Sequence, residues 1–240
     1  MKRAFVYKDE KSRKFWWIDY SDRSFAVNYG KCGSIGKFEL KEFDTEEDYR
    51  KEAEKLIRSK LKKGYTEDSG FNFLDRLYID SEEYGPHPKT SHPRFSEHFS
   101  DEIYYSEYDE ETPFGSDEGN DTLSFLFEAI RKNPDLDFSD FPRKLIEQDW
   151  NMEYVPVDTL DADEVKRMAA DKEMDMIQSD TVTYAAAFAQ IKITGSISSE
   201  LKDRGIKAIK RLALIEGVPW NENEIRRKMI EDLQSYSFIR

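Results

Sequence analysis

The stretch from Phe15 to Gly36 constrains this chain most. Phe15-Trp16-Trp17-Ile18-Asp19-Tyr20 is an aromatic, β-favouring run. Ser21-Asp22-Arg23 reads as a turn. Phe25, Val27 and Tyr29 then alternate with Ala26 and Asn28, the period of two expected of a strand. Gly30, Gly33 and Gly36 follow at a spacing of three, where the backbone needs positive φ or a close approach. Further strands are expected at Phe5-Val6-Tyr7 and across Phe38, Leu40 and Phe43.

A helix comes next. Asp44 or Thr45 can cap it, and Glu46, Glu47 and Asp48 crowd the first turn, where the helix dipole favours anions. Tyr49, Ala53, Leu56, Ile57 and Leu61 fall at helical spacing and predict one apolar face to about Lys62. Arg58, Lys60, Lys62 and Lys63 load the last turn with cations, and Gly64 ends it.

Three landmarks occur in order: Phe15-Trp16-Trp17-Ile18, Tyr29-Gly30-Lys31-Cys32-Gly33-Ser34-Ile35-Gly36-Lys37, and the basic helix end Glu54 to Tyr65 closing in Lys63-Gly64-Tyr65. Together they resemble the WGR family over about residues 2–66. That family is named for a Trp-Gly-Arg triplet; here Tyr29 stands for the Trp and Lys31 for the Arg. The resemblance implies a small β-rich module that touches sugar and phosphate near a DNA end, as in poly(ADP-ribose) polymerases. Tyrosine can pack on a ribose or base with less area than tryptophan, and lysine keeps the charge but loses the planar fork. Tyr29, Gly30, Lys31, Lys37 and Lys41 are therefore the candidate nucleic-acid-binding residues. The parity of Tyr29 with Phe25 and Val27 equally fits a core aromatic, with the glycines serving turns alone. The whole chain also resembles small bacterial WGR proteins, some named as molybdate-metabolism regulators, whose C-terminal part supplies no mechanism.

Net charge is -13 over the 240 residues, but it is unevenly spread. Residues 1–66 carry +5, residues 67–160 carry -17 and residues 161–240 carry -1. Such asymmetry suggests separate partners for separate parts. The single cysteine, Cys32, excludes an intramolecular disulfide. Neither a secretory leader nor a membrane-spanning run is expected, so the location expected is cytoplasmic.

Residues 67–120 read as an acidic, loop-rich connecting region and residues 121–240 as a helical domain, giving an α+β fold: an antiparallel sheet with one packed helix, then mostly helices. Helices are expected from Thr122, from near Ser139 to Trp150, over Asp163–Gln178, Ser199–Ile215 and Asn221–Leu233. Thr181–Ile193 reads as another, although its Thr, Val and Ile content leaves a strand open. Asn120 or Asp121 is the expected cap of the first.

His87, His92 and His98 cluster in sequence, but their spacing matches no metal motif. The loop Asp117–Asp121 lacks the order of a calcium loop. No histidine follows His98, which argues against an attached ADP-ribosyl transferase, and no phosphate loop, dinucleotide fingerprint or nucleophile elbow occurs. No cofactor, metal or catalytic residue is expected. The expected function is a non-enzymatic, nucleic-acid-associated or regulatory protein contacting DNA or RNA through residues 1–66. The alternative is an interaction or immunity-type protein that binds a basic protein partner through residues 101–121, using Tyr105, Tyr108, Asp109, Glu110 and Glu111. An enzyme site around His92, His98 and Asp117 ranks third.

Overall fold

The computed structural model describes residues 1–81 and 83–239. The fold is α+β and divides into two compact units, residues 1–96 and residues 97–240.

In the first unit, β1 (Lys2–Lys8), β2 (Arg13–Ser21), β3 (Ser24–Lys31), β4 (Lys37–Glu42) and the short β5 (Thr66–Glu67) form one antiparallel sheet in the order β4-β3-β2-β1-β5. The β2–β3 hairpin closes with Ser21 opposite Ser24. Both residues between them take positive φ, Asp22 at 50° and Arg23 at 56°. Those are the signs of a type I′ turn, whose twist matches that of the flanking strands.

Helix α1 (Glu46–Lys62) is capped by Thr45, whose hydroxyl accepts from Asp48 N at 3.1 Å. It lays Tyr49, Ala53 and Ile57 on one face of the sheet, where Ala53 and Ile57 meet Phe5, Trp16, Ile18, Phe25 and Val27. Leu61, expected inward, is instead exposed. At about 100° per residue, Lys60 falls close beneath Ala53 two turns on, and Leu61 is rotated away.

The opposite face carries Phe15, Trp17 and Phe38. It is covered by the segment after β5: Trp17 has ring centroids 5.6 Å from Phe38, 5.8 Å from Phe73 and 5.9 Å from Tyr78. Residues 67–96, read from sequence as part of a connector, thus help complete the core of this unit, with Tyr78 fully buried against Trp17. Burial on both faces explains why Phe15-Trp16-Trp17-Ile18 is apolar without a break. Short helix α2 (Pro93–His98) follows.

The second unit is helical: α3 (Asp117–Lys132), α4 (Phe141–Lys144) running into a π turn at Leu145–Asp149, α5 (Ala162–Thr194), α6 (Ser199–Glu216) and α7 (Glu224–Ser235). The cap of α3 is Ser116, whose hydroxyl accepts from Gly119 N at 3.1 Å, rather than Asn120 or Asp121. The helix therefore starts earlier, with Asp117 and Glu118 in the first turn that favours acids.

Two expected helices merge into α5, whose only non-helical residue is Lys172, at φ -136°. Every residue from Ser179 to Ile193 is buried, polar Ser179, Asp180, Thr181, Thr183, Gln190 and Lys192 included, so this half is the central helix of the unit. The gap left between the two expected helices, Ser179-Asp180, is helix. The Ser179 hydroxyl accepts from Val155 N at 2.9 Å. Asp180 takes two hydrogen bonds from Arg211 at 2.8 and 2.9 Å, with neither side chain reaching solvent. Burial raises the Asp180 carboxyl, and Arg211 opposes that rise. Arg211 also donates to the carbonyls of Val155 and Pro156. Gly205 of α6 lets that helix approach α5 closely, since a Cβ there would lie 2.9 Å from Ala187 Cβ. Among the described residues no helix is long and apolar enough to cross a membrane.

Candidate nucleic-acid interface

Because β4 pairs with β3 through Tyr29↔Lys37, Val27↔Glu39 and Phe25↔Lys41, the polar residues of β4 share a sheet face with Tyr29. That is the α1 face. Between β3, β4 and α1 lies an open groove of about 600 Å³ lined by Trp16, Tyr29, Lys37, Glu39, Lys41 and Lys60, with Glu52 and Glu83 also on its walls. The structure therefore brings three of the sequence candidates together: Tyr29, Lys37 and Lys41.

Gly30 and Lys31 are placed differently. A Cβ on Gly30 would lie 2.8 Å from Ser34 Oγ and 3.0 Å from Gly36 Cα, so that glycine serves the turn. Gly36 has φ +87°, and a Cβ there would lie 2.7 Å from Phe15 Cζ. Lys31 ends β3, exposed outside the groove.

Tyr29 is half-buried, and its hydroxyl donates to Glu39 Oε1 at 2.6 Å. That hydrogen bond, then burial, pushes the phenol up to about 12, so it stays a neutral donor. Lys37 lies 3.6 Å from the same Glu39 oxygen. The Lys41 ammonium sits 5.0 Å from the Phe43 ring centroid. The half-buried ammonium of Lys60 lies 5.3 Å from the centroid of Trp16, 5.6 Å from Tyr29 and 5.4 Å from Tyr65. Three ring faces around one cation provide the attraction that offsets its loss of water. Burial lowers the Lys60 pKa, Lys63 adds to that, and Glu39 opposes it.

Sequence reasoning missed Glu39, Lys60 and Arg76. Arg76 follows the part of the chain where periodicity ends. Its guanidinium stacks 4.3 Å from the Phe15 ring centroid and donates to the carbonyls of Ser34 at 2.7 Å and Ile35 at 3.3 Å. It thereby ties down the β3–β4 loop. The alternation of Lys37, Glu39 and Lys41 against Phe38 and Leu40 was the signal for Glu39.

The three histidines have separate tasks. His87 caps the turn Pro88–Thr90 by accepting from Lys89 N at 3.0 Å. His92 is fully buried, with Nδ1 accepting from Arg94 N and Nε2 against the Leu74 carbonyl at 3.1 Å. Burial holds it neutral, at about 4. His98 Nε2 meets the Asp232 carbonyl at 2.8 Å. Among the described residues no group of three or more His, Cys, Asp or Glu is placed to hold a metal ion.

Of the acidic, tyrosine-rich candidates, Tyr108, Asp109, Glu110 and Glu111 are exposed. Tyr105 is turned inward, its hydroxyl donating to the Phe99 carbonyl at 3.0 Å. Its neighbour Tyr104 is fully buried and donates to Asp232 Oδ2 at 2.6 Å.

The WGR domain profile matches residues 1–72, slightly beyond the stretch that carries the resemblance. The uncharacterized protein YfeS of Escherichia coli K12 is 53% identical over 240 residues, 98% of either chain. Protein YehF of the same organism is 38% identical over 72 residues, 30% of this chain and 26% of its own. A crystal structure of a Bacteroides fragilis protein aligns with 55% of this chain and 39% of its own at 27% identity, with a TM-score of 0.28. By its N-terminal module and by its full-length likeness to YfeS, the chain belongs to the WGR-domain family.

Proposed function

We propose that the protein is a non-enzymatic nucleic-acid-binding or regulatory factor that meets the backbone of DNA or RNA through the groove of its N-terminal unit. The observation that carries this reading is the convergence of Tyr29, Lys37, Lys41 and Lys60 on one open groove. An aromatic face beside ammonium groups suits a sugar or base next to its phosphate. The family resemblance supplies the same expectation for this strand-to-loop region.

Attraction here is local. Residues 1–96 hold 20 Lys and Arg against 18 Asp and Glu, a net of +2, whereas residues 97–240 carry -15. Glu39 occupies both the Tyr29 hydroxyl and the Lys37 ammonium. A phosphate entering the groove must displace that carboxylate from Lys37 or bind at Lys41 and Lys60 beside it. Binding is therefore expected to be modest, salt-sensitive and independent of base sequence. The test is titration of the full chain with a short blunt-ended DNA duplex and a matched RNA duplex across a salt series, against the Lys37→Ala/Lys41→Ala variant. Weaker binding and a shallower salt slope in the variant support the reading; identical binding by both chains refutes the groove.

A further inference from the structure

The helical unit contains a second cavity, separate from the groove and independent of the nucleic-acid reading. It measures about 330 Å³ and lies where α3, α5, α6, α7 and the loop before α3 meet. Clefts between helices at the small end of the ligand-pocket range are common binding sites. Apolar side chains line part of it: Ile177 from α5, Ile209 and Leu212 from α6, and Met229 from α7. The carboxylates of Glu110, Glu111, Glu118 and Glu216 also line it, together with Ser116, Thr181, Tyr184 and Arg226.

One of these acids is already matched. Glu216 is held by Arg226, Nη2 to Oε1 at 2.7 Å and Nη1 to Oε2 at 2.7 Å. Glu111 accepts the neutral amide of Asn223, at 2.8 Å. Among the described residues neither Glu110, Glu111 nor Glu118 forms an ion pair, and Arg226 is the sole cation lining the cavity. Glu118 stands in the first turn of α3, where the helix dipole favours an acid. No such reason applies to Glu110 and Glu111 in the loop.

Tyr184, only 3% exposed, also lines this cavity, with its hydroxyl hydrogen-bonded to Thr181. The loop is also built to stay where it is. Phe114 is fully buried, a Cβ on Gly115 would lie 2.0 Å from the Asp109 carbonyl oxygen, and a Cβ on Gly119 would lie 2.6 Å from that of Pro113. The loop of residues 109–116 thus folds tightly against the start of α3, with Glu110 and Glu111 exposed within it.

We propose that this cavity binds a protonated amine on an aliphatic stem, the stem lying on Ile209, Leu212 and Met229 and the ammonium meeting Glu110, Glu111 and Glu118. Long cationic side chains divide in the same way, with the stem on apolar surface and the charge among polar groups. A free aliphatic diamine and the lysine side chain of a basic partner share this chemistry.

The test is calorimetric titration of the full chain with cadaverine and, separately, with N-acetyl-lysine methylamide, at low salt. One amine per chain is expected, with affinity falling about tenfold in Glu118→Gln and in Glu110→Gln/Glu111→Gln, as loss of a charged hydrogen-bonding partner implies. Tighter binding of cadaverine assigns the site to a small amine, and tighter binding of the blocked lysine assigns it to a partner's side chain. Thermal melts verify that each variant is folded. The proposal is overturned if neither amine binds the folded chain up to about 10 mM, a free energy of only a few kcal/mol. Binding left unchanged by the glutamine variants overturns it as well.

Discussion

The hydroxyl of Tyr29 donates to Glu39 Oε1 at 2.6 Å, and Lys37 approaches the same oxygen to 3.6 Å. One carboxylate thus holds the aromatic and one of the cations that line the groove. Replacing it by its amide, Glu39→Gln, leaves an acceptor for Tyr29 but removes a negative charge from the path of a phosphate. Duplex binding is expected to tighten about threefold to tenfold at low salt, with the gain fading as salt screens it. Spectrophotometric titration of tyrosine in the same variant should show the Tyr29 phenol ionising below its present value of about 12. Unchanged affinity in Glu39→Gln would mean that phosphate does not enter beside Tyr29.

Arg76 ties the β3–β4 loop to the body of the unit by donating to Ser34 and Ile35 and stacking on Phe15. Arg76→Ala is expected to cost about 1–3 kcal/mol, from the two freed carbonyls and the lost stacking. Urea unfolding measures the cost. Hydrogen exchange should show the added motion concentrated in residues 30–36.

How far the sequence discloses this architecture follows from where periodicity holds. Strands β1 to β4, the Asp22-Arg23 turn and α1 were legible because alternation, positive-φ turns and a capped amphipathic helix leave local marks, whereas the two-residue β5 leaves none. Phe71, Phe73 and Tyr78 were not, because they cover the sheet from irregular backbone in which spacing has no meaning. Asp180 looked like a break between helices because only its distant partner Arg211 makes a buried acid tolerable. Of the residues lining the groove, Tyr29 and Lys37 were singled out within the motif and Lys41 just after it. Lys60 was read only as one of the cations in the last turn of the helix, and its place among Trp16, Tyr29 and Tyr65 depends on how α1 crosses the sheet.

His92 makes stability fall in mild acid. Its folded-state pKa of about 4 lies below the ordinary 6.5, so the folded chain binds fewer protons than the unfolded one between these values. Its contribution is therefore intact above pH 6.5, declines as pH falls toward 4, and levels off below that. The full loss is on the order of 3 kcal/mol. Urea midpoints of wild type and His92→Gln across this range should converge as pH falls; parallel curves would show that His92 protonates freely in the folded chain.

Arg211 and Asp180 form a buried pair whose halves cannot be removed singly. Arg211→Met leaves a carboxylate without its partner and also frees the carbonyls of Val155 and Pro156, at a cost of about 3–5 kcal/mol. Adding Asp180→Leu should recover a substantial part of that loss, since an apolar pair of similar volume carries no desolvation cost. A double-mutant cycle by denaturant unfolding checks this. Simple additivity of the two losses would show that the pair is not coupled.

The most direct measurement of the central claim is the salt dependence of duplex binding by the full chain and by its Lys37→Ala/Lys41→Ala variant. The account predicts that affinity falls with salt for the wild type and that the slope shrinks by about one for each lysine that contacts a phosphate. A variant with the same affinity and slope as the wild type, or a wild-type chain with no binding at low salt, would contradict it.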